Sequence, residues 1–283
     1  VIQISSDHVT LRNLTIDGAD ISGEGILVSG SVGDTVSGVT IHDCPTGVGI
    51  SGYTSIDVEE CDIFHCTDGI YAEGGSTFSI HLCDLNNNTG SGIIADECNG
   101  GLIYRNSIGD NGGGLTFKGS AGVTVKYNTI MRNDVVGAEL DDECTSNRFF
   151  RNNFFFNVNQ VRDRSTGTCW DDGDRHGNHW SDYHGHDDGS NDMFQGDGIG
   201  DEEVPHRGLD HYPYVFRDGW RVPGEVMFST EPHLNINGTV HMEWNMPERT
   251  ETMVCAVSTN GIQGPWDQIY SGGSQSMMYN CSK

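Results

Sequence analysis

The chain has 283 residues, with 41 Asp and Glu against 15 Lys and Arg, for a net charge of −26. Nucleic acid and anionic membranes both call for basic patches, so this balance argues against either partner and suits cations or a saline medium. No apolar run is long enough to insert into a membrane, and the length calls for one long solenoid or more than one domain.

Residues 1–160 carry a six-residue phrase that recurs. It reads VTIHDC at 39–44, CDIFHC at 61–66, CDLNNN at 83–88, NSIGDN at 106–111, NTIMRN at 128–133 and NNFFFN at 152–157, after a weaker copy, LTIDGA, at 14–19. Its central apolar residue falls at Ile16, Ile41, Ile63, Leu85, Ile108, Ile130 and Phe154, in steps of 22 to 25. Such a period makes each repeat one unit that buries its apolar face only by stacking on its neighbours. A second signal is Gly before a short apolar run, at Gly25, Gly49, Gly69, Gly92, Gly114 and Gly137. Runs this short between Gly, Asn, Asp and Ser are strands between tight turns, and no stretch keeps a helical period. The reading is all-β: a parallel β-helix of about 22 residues per coil.

Two columns flank the phrase. One holds Cys61, Cys83, Asn106, Asn128 and Asn152; the other holds Cys44, Cys66, Asn88, Asn111, Asn133 and Asn157. Asn is expected there because it tolerates left-handed backbone angles and its amide can bond the coils on either side. Cys is small and commonly buried, so it fits the same slots.

Matching slots on adjacent coils make Cys61–Cys83 and Cys44–Cys66 disulfide candidates, beside Cys144–Cys169 and Cys255–Cys281. Sequons at Asn13, Asn87, Asn237 and Asn280 are glycosylation candidates. Cysteines and sequons together point to an extracellular or cell-surface setting. An exposed column of Glu73, Asp96, Lys118 and Asp141 is also expected, with Asp141 and Asp142 as a weak catalytic pair of the glycosidase kind. No nucleophile triad or phosphate loop accompanies it.

Composition shifts in 161–222, the expected cap. Here stand Trp170-Asp171-Asp172-Gly173, then Gly177-Asn178-His179-Trp180-Ser181-Asp182-Tyr183, then Asp197 to Asp201, then Asp210, Tyr212 and Pro213. These four elements in this order resemble the closing segment of NosD-like proteins of the periplasmic copper-binding type, over residues 1 to about 216. The resemblance implies a right-handed parallel β-helix and, by analogy, copper. His179 departs from the usual Tyr of that element, and the acidic loop is longer, with Ser190 to Gln195 interposed. Trp170, Trp180 and Tyr183 are expected to cover the open end of the coil stack.

The loop from Asp187 to Asp201 reads independently as a Ca²⁺ site. Asp187, Asp188, Asn191, Asp192, Asp197 and Asp201, with the carbonyl of Ile199, supply the oxygens that a hard cation takes. No Glu closes it as in an EF-hand. Six histidines, His176, His179, His184, His186, His206 and His211, leave a Cu²⁺ or Zn²⁺ site open as a lesser reading.

Residues 223–283 alternate as strands around Val226-Met227-Phe228, Thr239 to Trp244 and Thr252 to Val257. They resemble the opening strands of a fibronectin type III-like sandwich, shorter than the usual length of about 100 residues. An incomplete sandwich and an uncapped first coil both offer edges, which predicts end-to-end self-association or strand addition. The function expected is structural or adhesive at a cell surface, in a filament or surface layer stabilised by calcium. A carbohydrate-binding or polysaccharide-cleaving β-helix and a periplasmic copper-binding protein are the alternatives.

Overall fold

The computed structural model describes residues 1–220 apart from 21, 53, 54 and 76, and beyond them only the backbone of six short strands. Two units are distinguished, residues 1–183 with 205–213, and residues 184–204 with 214–283.

The first unit is a parallel β-solenoid with three faces of eight, seven and eight strands, each strand pairing with its equivalents one coil away. The first face runs from Ile2–Ile4 to Val161–Asp163, the second from Thr10–Arg12 to Arg148–Phe150, and the third from Thr15–Asp17 to His179–Trp180. On the third face the recurring apolar residue stacks on itself: Ile16 on Ile41, Ile63, Leu85, Ile108, Ile130 and Phe154 in turn. Trp180 is the next rung above Phe154. From Ile41 to Trp180 these side chains are fully buried. The repeat is therefore the core, and each removed side chain would leave a hole lined by two neighbouring coils.

The glycine column differs from its expected place in one coil. Gly47, not Gly49, stands in register with Gly25, Gly69, Gly92, Gly114 and Gly137. A Cβ on Gly25, Gly47, Gly69, Gly92 or Gly114 would lie 2.3 to 3.0 Å from the carbonyl oxygen of the column's next glycine. Close passage between coils at this corner requires glycine.

The Asn columns behave as half expected. Oδ1 of Asn128 accepts both the backbone N–H and the Nδ2 of Asn106, each at 3.0 Å, while Asn128 Nδ2 donates to Ile103 O at 2.9 Å. The same pattern repeats from Asn128 to Asn152 and from Asn152 to Asn178. A parallel ladder runs Asn88, Asn111, Asn133, Asn157. At a net of roughly 1 kcal/mol per bond, the ladders contribute substantially because every member is satisfied. The left-handed seats, however, belong to the residue just before each column member: Leu82, Arg105, Tyr127 and Arg151 in one corner, His65, Asn87, Asp110, Arg132 and Phe156 in the other. The side chains of those seats face outward, so the columns can keep their amides inside.

The cysteines do not pair as expected. Cys44, Cys61, Cys66, Cys83, Cys98, Cys144 and Cys169 are all free thiols. Cys61 with Cys83, and Cys44 with Cys66, do occupy matching slots, but in-register parallel strands hold equivalent Cβ atoms about 4.8 Å apart, beyond the 3.5–4.5 Å span of a disulfide. Each thiol instead faces a carbonyl, as Cys83 Sγ does towards His81 O at 3.3 Å. Cys144 and Cys169 lie at different corners: Cys144 follows Cys98 and Ser120 in a buried column, whereas Cys169 bridges Arg148 and is exposed. Burial pushes the thiols of Cys66, Cys98 and Cys144 up to about 11. Cys281 and the side chain of Cys255 lie outside the described residues.

The solenoid closes as the tryptophans predicted. Trp170 stacks on Phe149 at 4.4 Å and Trp180 on Phe154 at 4.5 Å, both indoles buried. Asp210 ends the Asn ladder. Its Oδ2 accepts the backbone N–H of Asn178 at 2.7 Å and the indole N–H of Trp180 at 2.8 Å, and its Oδ1 accepts the Tyr212 N–H at 3.0 Å. The carboxyl is wholly buried, and that desolvation pushes it up to about 7 despite the donors around it.

In the second unit, Thr239–Asn245 pairs antiparallel with Met227–Phe228, His233–Leu234 and Gln275–Asn280, and Met253–Val257 with Asp267–Gly272. Antiparallel strands stand where the alternation predicted them; these pairings do not establish a fibronectin-like sandwich.

Candidate metal centre

Outward side chains on the second face come from alternate positions of each strand. In Ser55–Glu59, Val58 points inward and is fully buried, so Asp57 and Glu59 flank it on the outer surface. The next strand, Thr77–His81, stacks in register and sets Ser79 on Asp57 and His81 on Glu59. The His81 ring then lies between two coils. Its Nε2 is 2.9 Å from Asp57 Oδ1 and 3.6 Å from Glu59 Oε2. Tyr104, one coil further, stacks on the ring at 4.6 Å and 20°. Between these neighbours His81 is only 8% exposed although it sits on an outer face. One donor atom from each of Asp57, Glu59 and His81 falls within 4.8 Å of the others.

A second group, Asp17, His42 and Asp43, has the same reach on the third face. His42 Nδ1 is 2.8 Å from Asp43 Oδ2 and 3.9 Å from Asp17 Oδ1, and its ring stacks on Phe64. Both carboxylates here are exposed, so water competes for them and the group is less preorganised than the first. One imidazole with two carboxylates is an N,O donor set, which suits Cu²⁺ and Zn²⁺ more than soft or purely oxygen-seeking ions.

Residues 2–185 match the family described as periplasmic copper-binding protein (NosD). The chain belongs to the NosD family. No curated protein matches it. Among the described residues no helix is long and apolar enough to cross a membrane. The donor set at Asp57, Glu59 and His81 fits copper chemically: a neutral imidazole binds the ion and the carboxylates offset its charge.

The residues expected from the sequence to be catalytic or to bind metal are held by local hydrogen bonds and ion pairs. Asp141 is a turn clamp. Burial opposes its charge, but the amides of Gly119, Glu143 and Cys144, at 3.0 to 3.1 Å, hold its carboxyl below the usual range. Asp142 is exposed beside it. Glu73, Asp96 and Lys118 do form the expected column, where Asp96 is engaged by Tyr71 OH at 2.9 Å and Lys118 Nζ at 3.7 Å. The histidines of the closing segment do not converge. His176 meets Asp172 at 2.8 Å, His211 meets Asp171 at 2.9 Å, His206 meets Asp182 at 3.3 Å and His186 meets Glu202 at 2.7 Å. His179 packs against Phe155, and His184 is exposed.

In the acidic loop, Asp187 accepts the amides of Gly196 and Gly198, Asp188 that of Ser190, and Asp197 that of Ile199. Asn191 donates to the Asp201 carbonyl at 2.7 Å. The Asp192 side chain lies outside the described residues. Asn13 and Asn87 are exposed at left-handed corners; Asn237 and the side chain of Asn280 fall outside the described residues.

The Asp57, Glu59 and His81 group was missed in the sequence, yet a signal exists. Glu59 and His81 stand 22 residues apart, one coil period, so an outward His one period after an outward acid marks a stacked pair.

Proposed function

We propose that this NosD-family solenoid is an exported, cell-envelope protein that binds a divalent transition metal, copper by its donor set, at Asp57, Glu59 and His81. The observation that carries the reading is the single imidazole held between two carboxylates and an aromatic ring on an otherwise regular face. The residues act as a binding site. Asp57 and Glu59 supply negative oxygens, His81 supplies the nitrogen, and Tyr104 fixes the ring plane so that the nitrogen faces the carboxylates. Titration of the purified chain with Cu²⁺, followed by calorimetry and electron paramagnetic resonance, tests it. Wild type should show nitrogen coupling, and His81→Gln should weaken binding at least about tenfold. An unchanged affinity in His81→Gln, with loss in His42→Gln instead, would move the site to the third face and sink this assignment.

A structural role at a cell surface is the second reading. It is supported by the solenoid and by Phe156 and Val158, 73% and 71% exposed on either side of buried Asn157. A partner covering those two side chains is what the reading requires. Light scattering that reads a monomer at every concentration, with and without Cu²⁺ or Ca²⁺, counts against self-association.

A further inference from the structure

The second unit contains an unanswered buried charge. Asp201 is fully buried. Its backbone N–H donates to His186 O at 2.8 Å, its carbonyl accepts from Asn191 Nδ2, and its Oδ2 accepts the N–H of Gly189. Oδ1 has no hydrogen-bond partner, although the Asp188 amide as well as that of Gly189 favours the charged carboxylate. Because Oδ2 is fixed on the amide that follows Asp188, the carboxylate faces the turn at Asp187–Gly189. An unpartnered carboxylate oxygen beside two further acids, Asp187 and Asp188, is unfavourable unless something positive shares the site.

Among the described residues no cation is paired with Asp201. His186, inside the loop, pairs with Glu202, and His206 and Arg207 both pair with Asp182. The loop is bent around the gap by Gly189, Gly196 and Gly198, all with φ near +80°. Asp187 bridges Gly196 and Gly198, which ties the far side of the loop to the side that carries Asp201. The side chains that Asp187, Asp188 and Asp201 bring to this loop offer carboxylate oxygens, alongside the backbone amides that hold them. Hard cations with flexible, all-oxygen coordination match that set, whereas copper and zinc favour nitrogen or sulfur.

We infer that the loop from His186 to Asp201 is a calcium site separate from the copper site, with Asp201 as its buried anchor and Asp187 and Asp188 as its outer carboxylates. Calcium supplies the missing partner of Asp201 Oδ1 and fixes the loop. Affinity should fall in the range of extracellular calcium modules, about 10⁻⁴ to 10⁻³ M, because the loop spans few residues and one face stays open to water.

Calorimetric titration of the full chain with CaCl₂, read alongside hydrogen exchange of residues 186–201, tests the inference. One site and slowed exchange at Gly189, Gly196 and Gly198 are expected. Asp201→Asn and, independently, the surface substitution Asp188→Asn should each weaken binding at least about fivefold while leaving Cu²⁺ binding unchanged. Absence of heat and of added protection up to about 10 mM Ca²⁺, well past the range of such modules, overturns the site. Binding that keeps its affinity in both variants overturns it too, since the ion would then lie elsewhere. Loss of Cu²⁺ binding in His81→Gln with Ca²⁺ binding intact separates this site from the proposed copper centre.

Discussion

The early and late coils of the solenoid place different residues in the same two columns. Cys44, Cys61, Cys66 and Cys83 occupy the slots that Asn88, Asn106, Asn111, Asn128, Asn133, Asn152 and Asn157 fill further along. All are buried. Volume and burial are thus the first requirement of the slot, and either residue meets it. The difference lies in what crosses between coils. A thiol offers one weak donor to a nearby carbonyl, as Cys61 does to Glu59 O at 3.3 Å. An Asn accepts twice from the coil before it and donates to a backbone carbonyl there. Parallel strands with near-identical apolar rungs specify their register weakly, so the late coils gain a lock that the early ones lack.

The largest break in this comparison is Asn128→Ala. It orphans the amides of Asn106 and the carbonyl of Ile103 in a dry interior, and should cost about 4 kcal/mol in urea unfolding. Cys61→Ala, at the same column's thiol end, should cost only about 1 kcal/mol. Equal losses would mean that the ladder adds nothing beyond packing.

The ladder's end provides the next test. Asp210 rests near 7 in the fold against 3.8 for the free group, so the folded protein retains a proton that the unfolded chain releases. Its contribution to stability is complete below about pH 4 and declines as pH rises towards 7, by up to about 1.4 kcal/mol per pH unit. Asp210→Asn cannot titrate, and the stability difference between wild type and variant should carry that slope. A difference flat from pH 4 to 7 would refute it.

Sharper still is the exchange of residues between the two halves. Asn106→Cys should lose about 2 kcal/mol, whereas Cys83→Asn should change stability by less than about 1 kcal/mol, because its new Oδ1 meets the Cys61 amide while its Nδ2 must find a carbonyl. Smallest in energy is a labelling contrast. Iodoacetamide at neutral pH should modify exposed Cys169 and leave Cys61, Cys66, Cys83, Cys98 and Cys144 untouched, as mass spectrometry of the peptides will show.

The core was legible because Ile41, Ile63, Leu85, Ile108 and Ile130 hold one rung each, and a period near 22 has few structural meanings. Trp170 and Trp180 were legible as a cap for a related reason: large apolar residues after the last repeat have nowhere else to go. The left-handed seats were misplaced by one residue, since Asn favours that backbone region and stands beside the seat. Side-chain hydrogen bonding, not backbone preference, decides its position. The proposed copper residues were obscured because Asp57 and Glu59 look like ordinary surface acids until His81 is set one coil above them. Folding supplies that third neighbour, which no local pattern contains. The unpaired oxygen of Asp201 was beyond sequence reading altogether, as it depends on which amides Asp187 and Asp201 reach first.

The Asn ladder also gives the solenoid a sense of direction. Along it the backbone N–H of each Asn points towards the C-terminal end and its Oδ1 towards the N-terminal end, so the side-chain dipoles add rather than cancel. The last Asn of each column needs an acceptor: Asn157 Nδ2 donates to Gln160 Oε1 at 2.9 Å, and the Asn178 N–H donates to Asp210. The Asp210 carboxyl accepts the Asn178 and Trp180 N–H groups, while its own backbone N–H turns away to His206 O at 3.1 Å. An Asn-lined solenoid can therefore grow by copying whole coils before its last Asn, but each column needs a different residue to finish: Gln160, three positions on, for one, and Asp210, brought back from further along the chain, for the other.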